Sequence, residues 1–569
     1  MDAVVYDMCN ATEAAPQVFV KKDWLDILDN QNQSYQGNQS VIDTSQLSNS
    51  NKYINYREGY LTVPLLITAT APASATAANN LRPESAATSC DYIFGLKNWY
   101  GSIVHSLTLD MNGTTIIQQT PYAGMWNCFK LMTSLSMEDV RTQGSAIGFH
   151  PDTALSVAYS SANRVEAPDN HTFNNNVVGA FDVVGGAANS YSSYNEGLLR
   201  RQQAWNFNTA GLSAGANSDA YSAFVTDDKL NLLWKSYIFN KKNGDGTNPG
   251  VFQVGITAII KLKHLHEFFD RICLAKGLFL KLTLNLNQSS VQITNTSGSI
   301  RSSVVVNSPL GGVSPIMVAS NGAAGTLPDV GTTTVSVSVG RTCLNSSQTG
   351  LGDRVQTSPL SGSIILNVPA YSFSTSFETA YLQSPIKKID YSDIYQYQVV
   401  NQIVAGGTFT QLVSNGIAGV KSVLVLPFYS AADNGSVQPI QSPFDPAGAG
   451  PTSPLCHLTQ FNVQLSGQNQ IYNTQRYVHS QFLNQLYGYG AVNGGQADGL
   501  TSGLVGKDEF EMCYNYYYVN CERGLPIEMD VPKSVNILGT NTSARAIDLF
   551  IFVEYHASVS IDILTGSRV

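Results

Sequence analysis

One hydrophobic pattern occurs twice in this chain. Ser106-LTLDMNGTTIIQQ-Thr120 and Gln460-FNVQLSGQNQIYN-Thr474 align on Gly113 and Gly467. Before the glycine, Leu107, Leu109 and Met111 alternate with polar residues, as do Phe461, Val463 and Leu465. After it, Ile117 and Thr120 stand where Ile471 and Thr474 stand in the second copy. Period-two alternation broken at a glycine predicts a half-buried strand entering a hairpin. A second echo precedes each copy: Val63-PLLI-Thr68 and Val423-LVLP-Phe428. The repetition predicts two copies of one β-domain.

Further alternating runs predict strands at Tyr60–Thr70, Trp99–Ile117, Phe252–Leu265, Leu278–Asn287, Thr333–Val339 and Ser363–Phe373. In the second half they predict strands at Tyr395–Val400, Ser422–Phe428, Leu458–Leu465, Tyr514–Asn520, Ser534–Leu538 and Ala546–Ile563. Helical spacing is confined to short stretches. Met125, Trp126, Phe129 and Met132 predict a helix over Pro121–Leu135, continuing to Arg141. Glu267–Gly277 and Gln481–Gly488 predict two more. Trp24, Leu25 and Leu28 fit one or two amphipathic turns. Many strands with few helices indicate a sandwich or barrel, and eight-stranded jelly rolls are the architecture that carries long excursion loops. The expected fold is all-β, with two tandem eight-stranded jelly-roll barrels, long loop insertions and a few short helices.

The expected organisation is an arm over residues 1–52, a first jelly roll over 53–380 and a second over 381–569. The arm contains a Gln/Asn/Ser tract from Asn30 to Lys52 that buries no core of its own. Its small apolar cluster, Trp24 and Leu28, is expected to anchor it on adjacent subunits or an internal layer. Residues 142–250 are rich in Ala, Ser, Asn and Gly, and residues 288–362 in Gly, Ser and Thr. They are expected to be excursions from the first barrel, projecting outward or covering its neighbours.

Composition narrows the function. Hydrophobic residues make up 43 % and charged residues only 13 % of the 569, against roughly 25 % charged in an ordinary soluble domain. A polar but uncharged surface suits large buried interfaces, because burying an unpaired charge is costly. It suits a secreted β-protein equally well. The net charge of −9 argues against nucleic-acid binding, which needs clustered Lys and Arg. Basic residues reach only pairs, such as Lys21-Lys22 and Lys387-Lys388. The eight cysteines are scattered without CxxC, which reads as reduced thiols. No signal peptide is expected, and no run of 18 apolar residues would span a membrane.

Candidate chemistry is thin. No HExxH, phosphate-binding GxxxxGK[ST] or dinucleotide-binding GxGxxG occurs. His264 and His266 would share one face of a strand, as two metal ligands do, but without a carboxylate or cysteine cluster. Asp2 with Asp7, or Glu509 with Glu511, would be the carboxylate pairs of a glycosidase. Tyr514 to Tyr518 forms an aromatic run in which Tyr516 and Tyr518 share a strand face, which favours packing over sugar stacking. The Gly-rich Asn493-GGQADGLTSG-Leu504 lacks a phosphate-binding lysine and reads as a loop passing close to other backbone. No catalytic, cofactor or metal residue is assigned.

Several of these stretches resemble the double jelly-roll major capsid proteins of polinton-like viruses and virophages, tailless icosahedral double-stranded DNA viruses. The resemblance is carried by Leu107-TLDMN-Gly113 with Lys130-LMTSL-Ser136, Ile364-ILNVPA-Tyr371, Lys387-KIDYSDIYQYQ-Val399 and Phe444-Asp-Pro. It continues through Phe461-NVQLSGQNQIY-Asn473, Asn493–Leu504 and Ser534-VNILGT-Asn541. It runs from about Arg57 to Gly566 and leaves 142–250 and 288–362 aside. It implies a structural protein without catalysis or cofactor. Three chains, with two upright barrels each, would form a pseudo-hexameric homotrimer that tiles an icosahedral shell. The implied partners are other copies, penton and minor capsid proteins, with no sequence-specific nucleic acid. The implied location is the virion, assembled in the host cytoplasm or virus factory. The competing reading is a secreted β-sandwich carbohydrate-active enzyme or lectin.

Overall fold

The computed structural model describes residues 19–70, 92–152, 236–241, 251–320, 331–340, 362–430, 440–486, 503–562 and 568. Exceptions within these ranges are 32, 34, 36, 49–51, 119, 273, 275, 297–299, 311–312, 444–447, 449, 453–455, 472–475, 523–529 and 544. The strands, in chain order, are β1 (Phe19–Leu28), β2 (Gln39–Asp43), β3 (Tyr53–Ile54), β4 (Tyr60–Thr70), β5 (Tyr92–Leu96), β6 (Val104–Met111), β7 (Thr114–Ile117), β8 (Ser236–Lys241), β9 (Val251–Lys261), β10 (Leu280–Leu286), β11 (Ser289–Thr296), β12 (Ile300–Asn307), β13 (Ile316–Ser320), β14 (Gly331–Val339) and β15 (Ile365–Phe373). The second half contributes β16 (Ile386–Ile403), β17 (Thr408–Ile417), β18 (Val420–Tyr429), β19 (Leu458–Leu465), β20 (Gln468–Asn469), β21 (Tyr517–Asn520), β22 (Lys533–Asn541) and β23 (Ile547–Asp562).

In each half, eight of these strands form two facing sheets of four. In the first they pair β1-β15-β4-β9 and β2-β10-β6-β7. In the second they pair β16-β23-β18-β21 and β17-β22-β19-β20. Ranked along the chain, both halves read 1-8-3-6 and 2-7-4-5, the order of a jelly roll. Both glycine turns join ranks four and five. Asn112 and Gly113 have φ of 46° and 82°, and Ser466 and Gly467 have 48° and 83°. Each pair closes a two-residue hairpin, Met111 opposite Thr114 and Leu465 opposite Gln468. Positive φ at both positions is the type I′ turn, whose twist matches that of the strands it joins. Val63–Thr68 and Val423–Phe428 likewise occupy the third strand of each barrel, β4 and β18.

The structure departs from the sequence expectations in several places. Phe19–Leu28 is a strand and not an amphipathic helix. It pairs along β15, with Leu25 opposite Val368 and Ile27 opposite Leu366. β2 likewise joins β10. From Phe19 onward the expected arm therefore supplies the first two strands of the first barrel, so that barrel does not begin at residue 53. Residues 288–362 hold more strand than the one expected at 333–339. β11, β12 and β14 form an antiparallel extension in which β14 pairs with Leu65–Thr70 of β4, beyond the stretch that meets β15. Val291, Ile293, Val335 and Val337 are buried in it. The helix predicted to run through to Arg141 is two helices, α1 (Ala123–Ser134) and α2 (Met137–Ile147). They separate at Leu135-Ser136, where Ser136 and Asp139 form a reciprocal capping box. The strand predicted over Phe252–Leu265 ends at Lys261, and Leu262–Leu265 is a helical turn (α3). The helix predicted over Glu267–Gly277 is only α4 (Phe268–Arg271). Most of 142–250 lies outside the described residues.

The halves are joined by α5 (Thr375–Gln383), inside which the expected boundary falls. The connection between the fifth and sixth strands carries helices in both barrels: α1 and α2 in the first, α6 (His479–Gln485) and α7 (Lys507–Met512) in the second.

Candidate functional site

The two barrels meet along an extensively packed junction. α1 is its centre. An ordinary surface helix buries one stripe, but here Met125, Trp126, Asn127, Cys128, Phe129, Leu131, Met132 and Thr133 are all buried. One side packs on the first barrel. The other covers the outer face of β16-β23-β18-β21. Trp126 lies 6.3 Å from the ring of Phe552, and Tyr122 meets Phe550 edge-on at 5.1 Å. Phe129 stacks on Tyr518 at 5.3 Å and meets Tyr516 edge-on at 5.2 Å. Tyr516 and Tyr518 thus share a face, as their alternation predicts, and that face is packing. The buried apolar residues of both barrels form one continuous core.

Polar contacts fix the register of the junction. Tyr391 Oη donates to the carbonyl of Ile116, Tyr514 Oη to that of Asp152, and Thr120 Oγ1 to that of Ile394. His266 accepts the Phe268 N–H at Nδ1 (3.1 Å), which leaves Nε2 to face Asp393 Oδ1 at 3.3 Å across the junction. Asp393 also accepts from Ile394 N and Tyr555 Oη. Glu554 is buried with Lys130 Nζ 3.8 Å away and Ser422 Oγ donating at 2.6 Å. Burial pushes its carboxyl up, but Lys130, Lys421 and bonds from Ser422 and Ser392 outweigh that and hold it below the usual range.

Among the described residues, the candidates named in the sequence are not brought together. His264 lies in α3 and His266 just after it, so the pair is not on a strand. Burial, with Lys261 and Lys263 nearby, pushes His264 down to about 3. Among the described residues no three His, Cys, Asp or Glu side chains stand together as metal ligands. Glu509 and Glu511 sit two apart on α7, a spacing that turns them away from each other. Asp2 and Asp7 lie outside the described residues. A cleft of about 530 Å³ opens beside α1. It is lined by four acids (Glu267, Asp270, Glu522, Glu554) and four bases (Lys130, Lys263, Arg271, Lys421), so its formal charge cancels. Trp126, its one tryptophan, is packed against Phe129 and Phe552 and offers no open platform for a sugar. Most of the Gly-rich loop before Leu504 is outside the described residues, but at its end Leu504 N donates to the carbonyl of Met132 in α1. Gly211-Leu-Ser213-Ala-Gly215 has the GxSxG spacing of a nucleophile elbow. It too lies outside the described residues, in a Ser/Ala/Gly-rich tract where this spacing arises readily by chance.

Among solved structures, the chain is similar to one from the Sputnik virophage determined by cryo-EM. They share 12 % identity at a TM-score of 0.50, over 98 % of this chain and 89 % of that one. The fold is the one the Sputnik chain has. The mavirus major capsid protein (10 % identity, TM-score 0.44, 98 % and 92 % covered) and the Faustovirus major capsid protein (11 %, 0.43, 96 % and 91 %) are also similar, but at those scores they carry no argument. No family model and no curated protein matches the chain.

Proposed function

We propose that this chain is a major capsid protein, the structural subunit of an icosahedral virus shell. The observation that carries the reading is the twin barrel itself. Two jelly rolls of identical strand order are held side by side by one continuous core. A rigid two-barrel unit needs only three copies to present six barrels in a roughly hexagonal ring. The fold shared with the Sputnik chain supports the reading, as does the scarcity of charge, since obligate interfaces are large and poor in charge. In this reading the chain works without catalysis or cofactor. Its partners are other copies, neighbouring capsomers, and penton and minor capsid proteins, and its place is the virion. Assembly takes place in the host cytoplasm or virus factory. The acidic balance leaves genome binding to other proteins.

Mass measurement of the purified chain, combined with negative-stain microscopy, tests this. A trimer with a hexagonal outline is expected. A stable monomer at micromolar concentration overturns the proposal.

A further inference from the structure

A second, smaller cavity lies behind the junction cleft. It has a volume of about 130 Å³ and sits between α2 and the end of β9 with α3. Leu135, Lys263 and His264 line both spaces, so they form the partition between them. Leu135, Val140, Ile147 and Phe149 give the cavity apolar walls. Asp139 and Gln143 enter it from α2, and Lys261, Lys263 and His264 from the other side. The local sequence explains the convergence. β9 ends at Lys261, and the chain turns at once into α3 with Leu262 and Leu265 buried. The two lysines and His264 are left to line the cavity.

The cavity holds more cation than anion. Asp139 is the one acid among its lining residues, and Oδ2 of its carboxylate already accepts from Ser136 N and Oγ. Lys261 donates to the neutral amide oxygen of Gln143 at 2.9 Å. Lys263 makes no hydrogen bond or ion pair among the described residues. His264 Nδ1 is buried without a hydrogen-bond partner. The crowding is unfavourable to the groups themselves. Burial, and then Lys263, push the Lys261 ammonium below the usual lysine range, and Asp139 opposes this only in part.

We propose that this cavity binds a free inorganic oxyanion of phosphate size, held by Lys261, Lys263 and the side-chain amide of Gln143. Because the Gln143 oxygen accepts from Lys261, its Nε2 remains as a donor. A phosphate ion offers several acceptors to these donors, and hydrogen bonds between ionised partners are among the strongest in proteins. The partition and the small volume admit the ion without an organic chain. Water also fills polar cavities of this size, but it brings no charge to the two ammonium groups. Bound there, the ion ties α2 to the end of β9, beside the junction between the barrels.

The test uses the full chain and inorganic phosphate, by titration calorimetry at pH 7 and fixed ionic strength. Saturable binding of one phosphate per chain is expected. Lys263→Met removes the charge of an exposed side chain and should weaken binding at least about tenfold. Lys21→Met removes the same charge from a side chain on β1 that is 67 % exposed, and should leave binding unchanged. Lysine acetylation read by mass spectrometry needs no variant: phosphate should protect Lys261 and Lys263 but not Lys21. Phenyl phosphate should bind far more weakly than phosphate. Equal affinity would assign the cavity to a phosphomonoester and overturn the free ion. Absence of saturable binding, with both lysines unprotected, would mean that water alone fills the cavity and overturns the proposal, as would equal weakening by Lys263→Met and Lys21→Met. The capsid reading stands or falls separately, because it is tested by the mass of the assembly and not by ion binding.

Discussion

Glu554 projects from β23 into the junction, with Lys130 of the opposite barrel and Ser422 of its own as partners. Its folded-state carboxyl lies below the ordinary glutamate range, about 4.3. The unfolded chain therefore takes up the proton first as pH falls. The contribution of Glu554 to stability is complete above the ordinary value and disappears as pH drops through the lower folded one. Glu554→Gln keeps the side-chain shape and an acceptor for Ser422 but leaves Lys130 without its counter-charge. It should cost about 1–3 kcal/mol at pH 7. The difference in thermal melting between wild type and variant should close at acid pH. A gap of constant size from pH 7 to pH 3 would show that Lys130 is compensated elsewhere. This site was not legible in the sequence. Lys130, Ser422 and Glu554 come from three distant segments, and nothing in the local pattern of any one points to the others.

At the scale of single elements, legibility followed the number of apolar faces. Over Leu107–Met111 of β6 and Phe461–Leu465 of β19 the apolar residues lie on one face, so their alternation is plain and their glycine turns match each other in the sequence. α1 kept its helical spacing because Met125, Trp126, Phe129 and Met132 face successive parts of the junction. β1 reads as helical because apolar residues stand on both of its faces. Leu25 and Ile27 point inward while Trp24 and Leu28 point out, so the period of two is masked and positions 24, 25 and 28 mimic a helix. The Ser- and Thr-rich extension was under-read for the opposite reason, since Val291 and Ile293 are its only large apolar positions within β11. Placing β1 in the sheet changes the expected effect of removing it. Deleting residues 1–28 strips one side of β15 of its partner and bares an edge ready to pair with other chains. The truncated chain should aggregate and melt earlier. Were it to stay soluble with an unaltered melting curve, β1 would be a dispensable arm after all.

For the whole molecule, the shared core predicts that the two barrels are not independent folding units, despite their matching strand orders. A fragment starting at Ile386 would expose Tyr518, Phe550 and Phe552 together where α1 had covered them, an apolar patch of the kind that drives aggregation. It should be insoluble alone. The intact chain should unfold in one calorimetric transition, with the van't Hoff and calorimetric enthalpies in agreement. Two well-separated transitions would mean that α1 serves as a spacer between autonomous domains.

The strands β11, β12 and β14 continue the sheet of the first barrel past its end, and among the described residues the second barrel has no strand between β22 and β23 to match them. In the proposed capsomer, six similar barrels would stand in a circle while only every other one is raised. The body of the tile would obey a hexagonal lattice, and its relief a triangular one. Neighbouring tiles, fitting edge to edge, would sense six nearly equal sides. A receptor or antibody arriving from outside would find three crests and three hollows, and would bind with a stoichiometry that counts chains and not barrels.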